Sequence, residues 1–285
     1  MRWLRRNGLM VYAGLAIAYM LIPIVVIAVF SFGETPKDKL NFTLSGGFTL
    51  EYWQHAFKIE ELNNAFMTSL KLAALSTVIS TAIGTLMAIA LVRYQFRGRR
   101  LSNLLIVLPM ATPEIVLGAA LLSMFINLSI FELGFQTLLI AHVMFSISFV
   151  VVVVRSRLIG FDRRIEEAAA DLGATPLQTF RYVTMPLLAP GVLAAALLAF
   201  ALSIDDFVIS NFNSGGTVTF PLYVYGVALR GIPVQVNVLA TMLFLITVAA
   251  IGVVIWQQRR AEKMAAVRPE EETLPIAPAP AAAGG

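Results

Sequence analysis

The chain has 285 residues, of which 58% are hydrophobic and 13% charged. Soluble domains run near a quarter charged, so this composition excludes an ordinary water-soluble protein and fits one written for lipid. There is no cysteine, which removes disulfides, thiolate metal sites and thiol nucleophiles; the net charge of +4 does not denote nucleic-acid binding, because the basic residues cluster at the ends of apolar runs.

Six apolar runs reach the length of about 20 residues that a bilayer core demands: approximately 8–32, 64–92, 103–127, 136–154, 187–212 and 237–256. The first follows "MRWLRR". Its length exceeds the roughly 7–15 apolar residues of a signal peptide, so a retained anchor is expected. Segment 33–63 contains "FTLEYWQHAF", in which Thr49 can cap a short interfacial helix carrying Tyr52, Trp53 and Phe57. The second run places Ser76, Ser80, Gly84 and Ala88 at strict i+4 spacing, a small-residue face suited to close helix packing in lipid. The third holds Pro109 and Pro113, each of which removes a backbone donor and predicts a bend or break. His142 in the fourth reads as a neutral packed histidine. Between the fifth and sixth runs, "FPLYVYGVALRG" predicts a short amphipathic helix begun by Pro221 and ended by Gly231. Residues 261–285 are Pro- and Ala-rich without apolar periodicity and read as a disordered tail after a membrane domain over 1–260.

Sixteen of the 21 Lys and Arg residues fall at the N-terminus, in the second-to-third and fourth-to-fifth connections, and beyond the sixth run. By the positive-inside rule those segments and both termini are cytoplasmic.

The fourth-to-fifth connection, 155–186, is longer than a simple link needs. Asp162 is a good N-cap for "RRIEEAAADL", and Gly173 stands where a left-handed C′ residue belongs. Ile165, Ala168, Ala169 and Leu172 fall on one face of that helix. Thr175, Pro176 and Gln178 form a capping box for a second helix, expected to run through Phe180 and Val183 to Pro186. Helices this short are not stable alone in water, so something must pack on them.

Glu167-Ala168-Ala169, then Gly173, then "VTMP" ending at Pro186, resembles the EAA loop of ABC-importer permease subunits. Val183 and Met185 stand where that pattern usually has Ile and Leu. "PMATPEIVLGAALL" at 109–122 and "LSIDDFVISNF" at 202–212 are similar to the second permease subunit of spermidine/putrescine transporters. The resemblance implies an all-α membrane protein of six spans with the fold of a type I ABC importer permease, multi-pass in the bacterial inner membrane. Its implied partners are an ATP-binding cassette ATPase dimer, a second permease subunit and an external substrate-binding protein. Glu167, Ala168, Ala169, Gly173 and Pro186 would form the ATPase-coupling site. No cofactor or metal is expected in the chain, and ATP would be bound by the partner, since no G-x-x-x-x-G-K-[ST] phosphate cradle occurs.

Three carboxylates lie in apolar runs: Glu114 near the middle of the third, and Asp205 and Asp206 in the outer half of the fifth. A mid-membrane charge costs about 2.5–3.5 kcal/mol on insertion scales and faces a cavity or a partner. Unneutralised carboxylates near Phe207, Phe212, Tyr223 and Tyr225 suit a path for a cation such as a polyamine. Two plainer roles stay open: Glu114 capping donors freed by the helix break, and the aspartates ending a helix or bonding Ser203 and Ser210. Adjacent helical residues point about 100° apart, so at most one aspartate faces a path directly. A proton-coupled secondary transporter would use the carboxylates but leaves the capped loop unexplained. An intramembrane enzyme would want an acid–base pair or metal ligands that the two histidines do not supply.

Overall fold

The computed structural model describes residues 2–33, 47–129, 131–228 and 231–266, and these are helical with one isolated bridge, Gly33 to Phe48. Residues to Thr241 form one compact unit and those from Met242 a second. The helices are α1 (Arg2–Phe30), α2 (Glu51–Gln54), α3 (Glu60–Arg93), α4 (Arg99–Ala111), α5 (Glu114–Leu128) and α6 (Phe135–Ile159). They continue with α7 (Arg164–Asp171), α8 (Pro176–Thr179), a π-helical turn (Phe180–Thr184), α9 (Met185–Ile204), α10 (Val208–Asn213), α11 (Phe220–Ala228) and α12 (Val234–Ala266). Among the described residues five stretches are long and apolar enough to cross a membrane: Gly8–Phe30, Glu60–Arg93, Phe135–Ile159, Pro176–Ile204 and Val234–Val253. α4 and α5 reach that length and apolarity only as a pair, bent by 112° at the break between them.

That bend falls in the run 103–127, where the two prolines predict a bend or break. Its cause is local. Thr112 precedes a proline, is driven to extended backbone (φ −82°, ψ 133°), and turns its hydroxyl back onto the Leu108 carbonyl at 2.7 Å. Pro109, by contrast, sits inside α4 without ending it.

The core of the first unit is α3, α6 and α9 packed on one another. Ala88, Leu91, Val150, Val151, Val154, Leu188, Ala195 and Ala199 make its main apolar cluster. Ser76, Ser80, Gly84 and Ala88 are all buried, on the small-residue face the sequence predicts. A Cβ added at Gly84 would stand 2.6 Å from Val150 Cγ1, so the glycine is what lets α3 and α6 approach. A second cluster of Leu121, Phe125, Ala141, Phe145 and Ile209 joins α5, α6 and α10. Side chains along α1 are largely exposed, as lipid or another subunit would require.

At the start of α2, Thr49 Oγ1 accepts the Glu51 N–H at 3.1 Å, and Phe32 stacks on Trp53. α12 runs on through Ala266, past the boundary expected at 260; residues 267–285, read as a tail, lie outside the described residues, as do Lys37, Lys39 and Arg230. Gly231 has φ +102°, the left-handed geometry expected of a stop signal.

Candidate functional site

The loop between α6 and α9 is built by local rules. Asp162 Oδ1 accepts the Arg164 N–H at 3.0 Å and starts α7, with Glu166 and Glu167 in its first turn. Gly173 has φ +87° and nothing within 4 Å of where a Cβ would stand, so it is the turn, not crowding, that needs glycine. The Ala174 N–H then reaches back to the Ala169 carbonyl at 3.0 Å. Thr175 and Gln178 form the capping box in both directions: the Thr175 N–H donates to Gln178 Oε1 at 2.8 Å, and Thr175 Oγ1 accepts the Gln178 N–H at 3.4 Å.

One expectation needs correction. The second helix does not stop at Pro186. It passes through the π-helical turn directly into α9, so Pro176–Ile204 is one continuous helical stretch. A helical proline ring clashes with the carbonyl four residues back, here Tyr182; the wider π turn over Phe180–Thr184 relieves that clash.

On α7 the expected apolar face points away from the chain. Ile165 and Ala168 are exposed, Ala169 is half-buried, and Leu172 is 90% exposed. Glu167 also faces outward, with Arg163 Nε at 3.7 Å across one helical turn. Its neighbour Glu166 does the opposite. Glu166 Oε1 lies 2.9 Å from Arg93 Nη2 at the end of α3 and accepts from Thr184 Oγ1 at 2.7 Å. The Arg93 guanidinium also lies over the Phe161 ring, 5.5 Å from its centre.

At the other end of the core, both aspartates lie in the short break between α9 and α10, and they have different surroundings. Asp206 caps α10: its oxygens accept the N–H groups of Ile209 at 3.2 Å and Ser210 at 2.8 Å. It also lies 3.5 Å from His142 Nε2. His142 is buried, with Nδ1 2.7 Å from Ser203 Oγ and Nε2 3.0 Å from Ser210 Oγ; Ser203 in turn accepts from Ser76 Oγ at 2.9 Å. This chain of polar groups ties α3, α6, α9 and α10 together inside the apolar core.

Asp205, one residue earlier, is exposed and within electrostatic reach of Glu114, which is also exposed at the first position of α5. The bend at Pro113 brings this about, because it lets α5 pack on α10. Glu114 makes no side-chain cap on α5. Of the four aromatics expected beside the carboxylates, Phe207 and Tyr225 pair at 4.8 Å, and Phe212 lies against Gly118 of α5. Fewer than three His, Asp or Glu side chains gather at any point among the described residues, so none forms a metal-binding group.

Sequence reasoning singled out Glu167 and Gly173 but missed Glu166, Arg93 and Thr184, which lie 73 and 18 residues from Glu166 in the chain. An arginine ending one span and an acid opening the loop were the available signal.

Residues 80–263 match the family described as the binding-protein-dependent transport system inner membrane component, and the chain belongs to that family. It is 36% identical over 251 residues to the spermidine/putrescine transport system permease protein PotC of Haemophilus influenzae, covering 88% of this chain and 95% of that one. It is 35% identical over 257 residues to the putrescine transport system permease protein PotI of Escherichia coli, covering 87% and 90%. The fold is similar to that of a chain in a bacterial alginate ABC transporter solved with a pentasaccharide-bound periplasmic protein, with TM-score 0.61, 16% identity, and 92% and 97% coverage. The chain is thus a multi-pass inner-membrane permease subunit, not an enzyme.

Proposed function

We propose that this permease subunit conducts polyamines inward and is driven by ATP hydrolysis on a separate ATPase dimer that docks on α7. The observation that carries the coupling role is the outward face of α7, where Glu167 and Ala168, with Leu172 at its C-cap, are exposed. A carboxylate there can accept from a partner's Arg or Lys, and alanine permits close approach. Gly173 turns the chain out of that contact, and Pro186 stands just beyond the π turn. A second permease subunit and a substrate-binding protein complete the assembly, the latter on segments 48–62 and 213–236. The Lys and Arg asymmetry supports a cytoplasmic side for both termini.

The cationic cargo is supported by the relatives' names and by Glu114 and Asp205, two exposed carboxylates in mutual electrostatic reach. Asp206 serves the path indirectly, by holding α10 in place. The test is uptake of labelled spermidine by the reconstituted transporter. Glu114→Gln and Asp205→Asn should each cut uptake by roughly tenfold, about 1.4 kcal/mol. Wild-type uptake by both variants would remove the cation path from the account.

A further inference from the structure

Two adjacent acids on α7 divide their work. Successive residues on a helix point about 100° apart, so one can face a partner while the next faces its own chain. Glu167 is 65% exposed, whereas Glu166 is 17% exposed and meets Arg93, itself 14% exposed. A single oxygen of Glu166 lies 2.9 Å from Arg93 Nη2 as an ion pair without hydrogen-bond geometry, and accepts the Thr184 hydroxyl at 2.7 Å. The cation is positioned a second time by the Phe161 ring beneath it. Surface pairs of flexible side chains contribute little, but a partly buried pair with a hydroxyl donor on the same oxygen is held in one geometry.

The three residues belong to α7, the C-terminal end of α3 and the junction of the π turn with α9. Those two long helices form the core with α6 and are joined again by Ser76, midway along α3, and Ser203, near the C-terminal end of α9. An open pocket of about 340 Å³ beside α7 is lined by Arg93, Glu166 and Thr184 themselves, together with Ile89, Tyr94 and Phe180. With that space beside it, α7 is not packed solidly onto the helices below. The polar contacts of Glu166 therefore carry the link that apolar packing elsewhere supplies. The π turn between α8 and α9 gives the same junction a place to yield.

We propose that Glu166, with Arg93 and Thr184, is a positioning latch that transmits displacement of α7 to α3 and α9. Glu167 receives the partner and Glu166 passes the movement on. This rests on the reading that an ATPase docks on α7, and the experiment separates the two.

The complete transporter, with its second permease, ATPase and binding protein, is reconstituted into proteoliposomes, and ATP hydrolysis and labelled spermidine uptake are measured on the same preparation. Co-purification of the ATPase with the permease reports assembly. Glu166→Gln and Arg93→Gln should retain assembly and basal hydrolysis within about twofold, while uptake per ATP falls roughly tenfold, a coupling of ordinary size between sites. The exchanged pair, Arg93→Glu with Glu166→Arg, should recover at least about half of wild-type coupling, since the Thr184 hydroxyl can accept from the new guanidinium. Thr184→Val should reduce coupling by a smaller factor than either charge removal.

Uptake per ATP unchanged in Glu166→Gln overturns the latch. So does equal loss of assembly, hydrolysis and uptake in the single variants without recovery in the exchanged pair, which would make the contact a folding element only. Failure of the wild-type complex itself to couple ATP to spermidine uptake would instead strike the reading of function.

Discussion

His142 is 2% exposed and bonded at both ring nitrogens, so its removal leaves the Ser210 hydroxyl without that partner in an apolar surround. An orphaned buried polar group costs about 1–3 kcal/mol. His142→Ala should therefore lower the apparent Tm of the detergent-solubilised protein, and His142→Gln, which can still bond a hydroxyl, should recover part of the loss. An unchanged Tm in the alanine variant would mean that the polar chain contributes nothing to the fold. The sequence indicated that this histidine is packed rather than exposed, because it stands inside an apolar run. It could not show which aspartate turns toward it, since Asp205 and Asp206 are adjacent acids in the same α9–α10 break. The identity of the inward residue is settled by packing of α10 on α5 and α6, a contact between distant segments.

Local elements were the most legible part. Thr175, Pro176 and Gln178 predict a capped helix start, and the bonds are those of a capping box, because such signals act within four residues. Gly173 was legible for the same reason. The end at Pro186 was misread because proline is normally a stop; a π turn ahead of it is not visible in a periodicity of 3.6. Likewise Pro113 marks a break, but its 112° angle depends on what α5 packs against. The small-residue face of α3 yields a quantitative expectation. Gly84→Ala puts a methyl 2.6 Å from Val150 Cγ1 and 3.3 Å from the Ile147 carbonyl oxygen. Overpacking of this kind costs about 1–3 kcal/mol, so the variant should lose thermal stability. Gly84→Ala paired with Val150→Ala, which removes the Cγ1 contact but leaves the Val150 Cβ at 2.9 Å, should restore only part of it. If the single variant melts with the wild type, α3 and α6 are not held as closely as described.

For the molecule as a whole, composition pointed to a membrane protein, because lipid constrains every residue of a span, and the charge asymmetry leads to an expected orientation. The loop's shape and family pattern identified a transport subunit. The latch of Glu166, Arg93 and Thr184 was not legible, for its members come from three segments that only the folded bundle brings together. The same holds for Glu114 and Asp205, which the bend at Pro113 puts within reach of one another. The central claim is that force from an ATPase enters through α7 and that the chain has no energy source of its own. The direct test is spermidine accumulation in proteoliposomes of the complete transporter with ATP, comparing wild type with Glu167→Lys and Gly173→Pro. Wild type should accumulate spermidine only with ATP and binding protein, and both variants should insert normally yet lose uptake by more than about tenfold. Accumulation driven by a proton gradient without ATP, or undiminished uptake in both variants, would contradict the account.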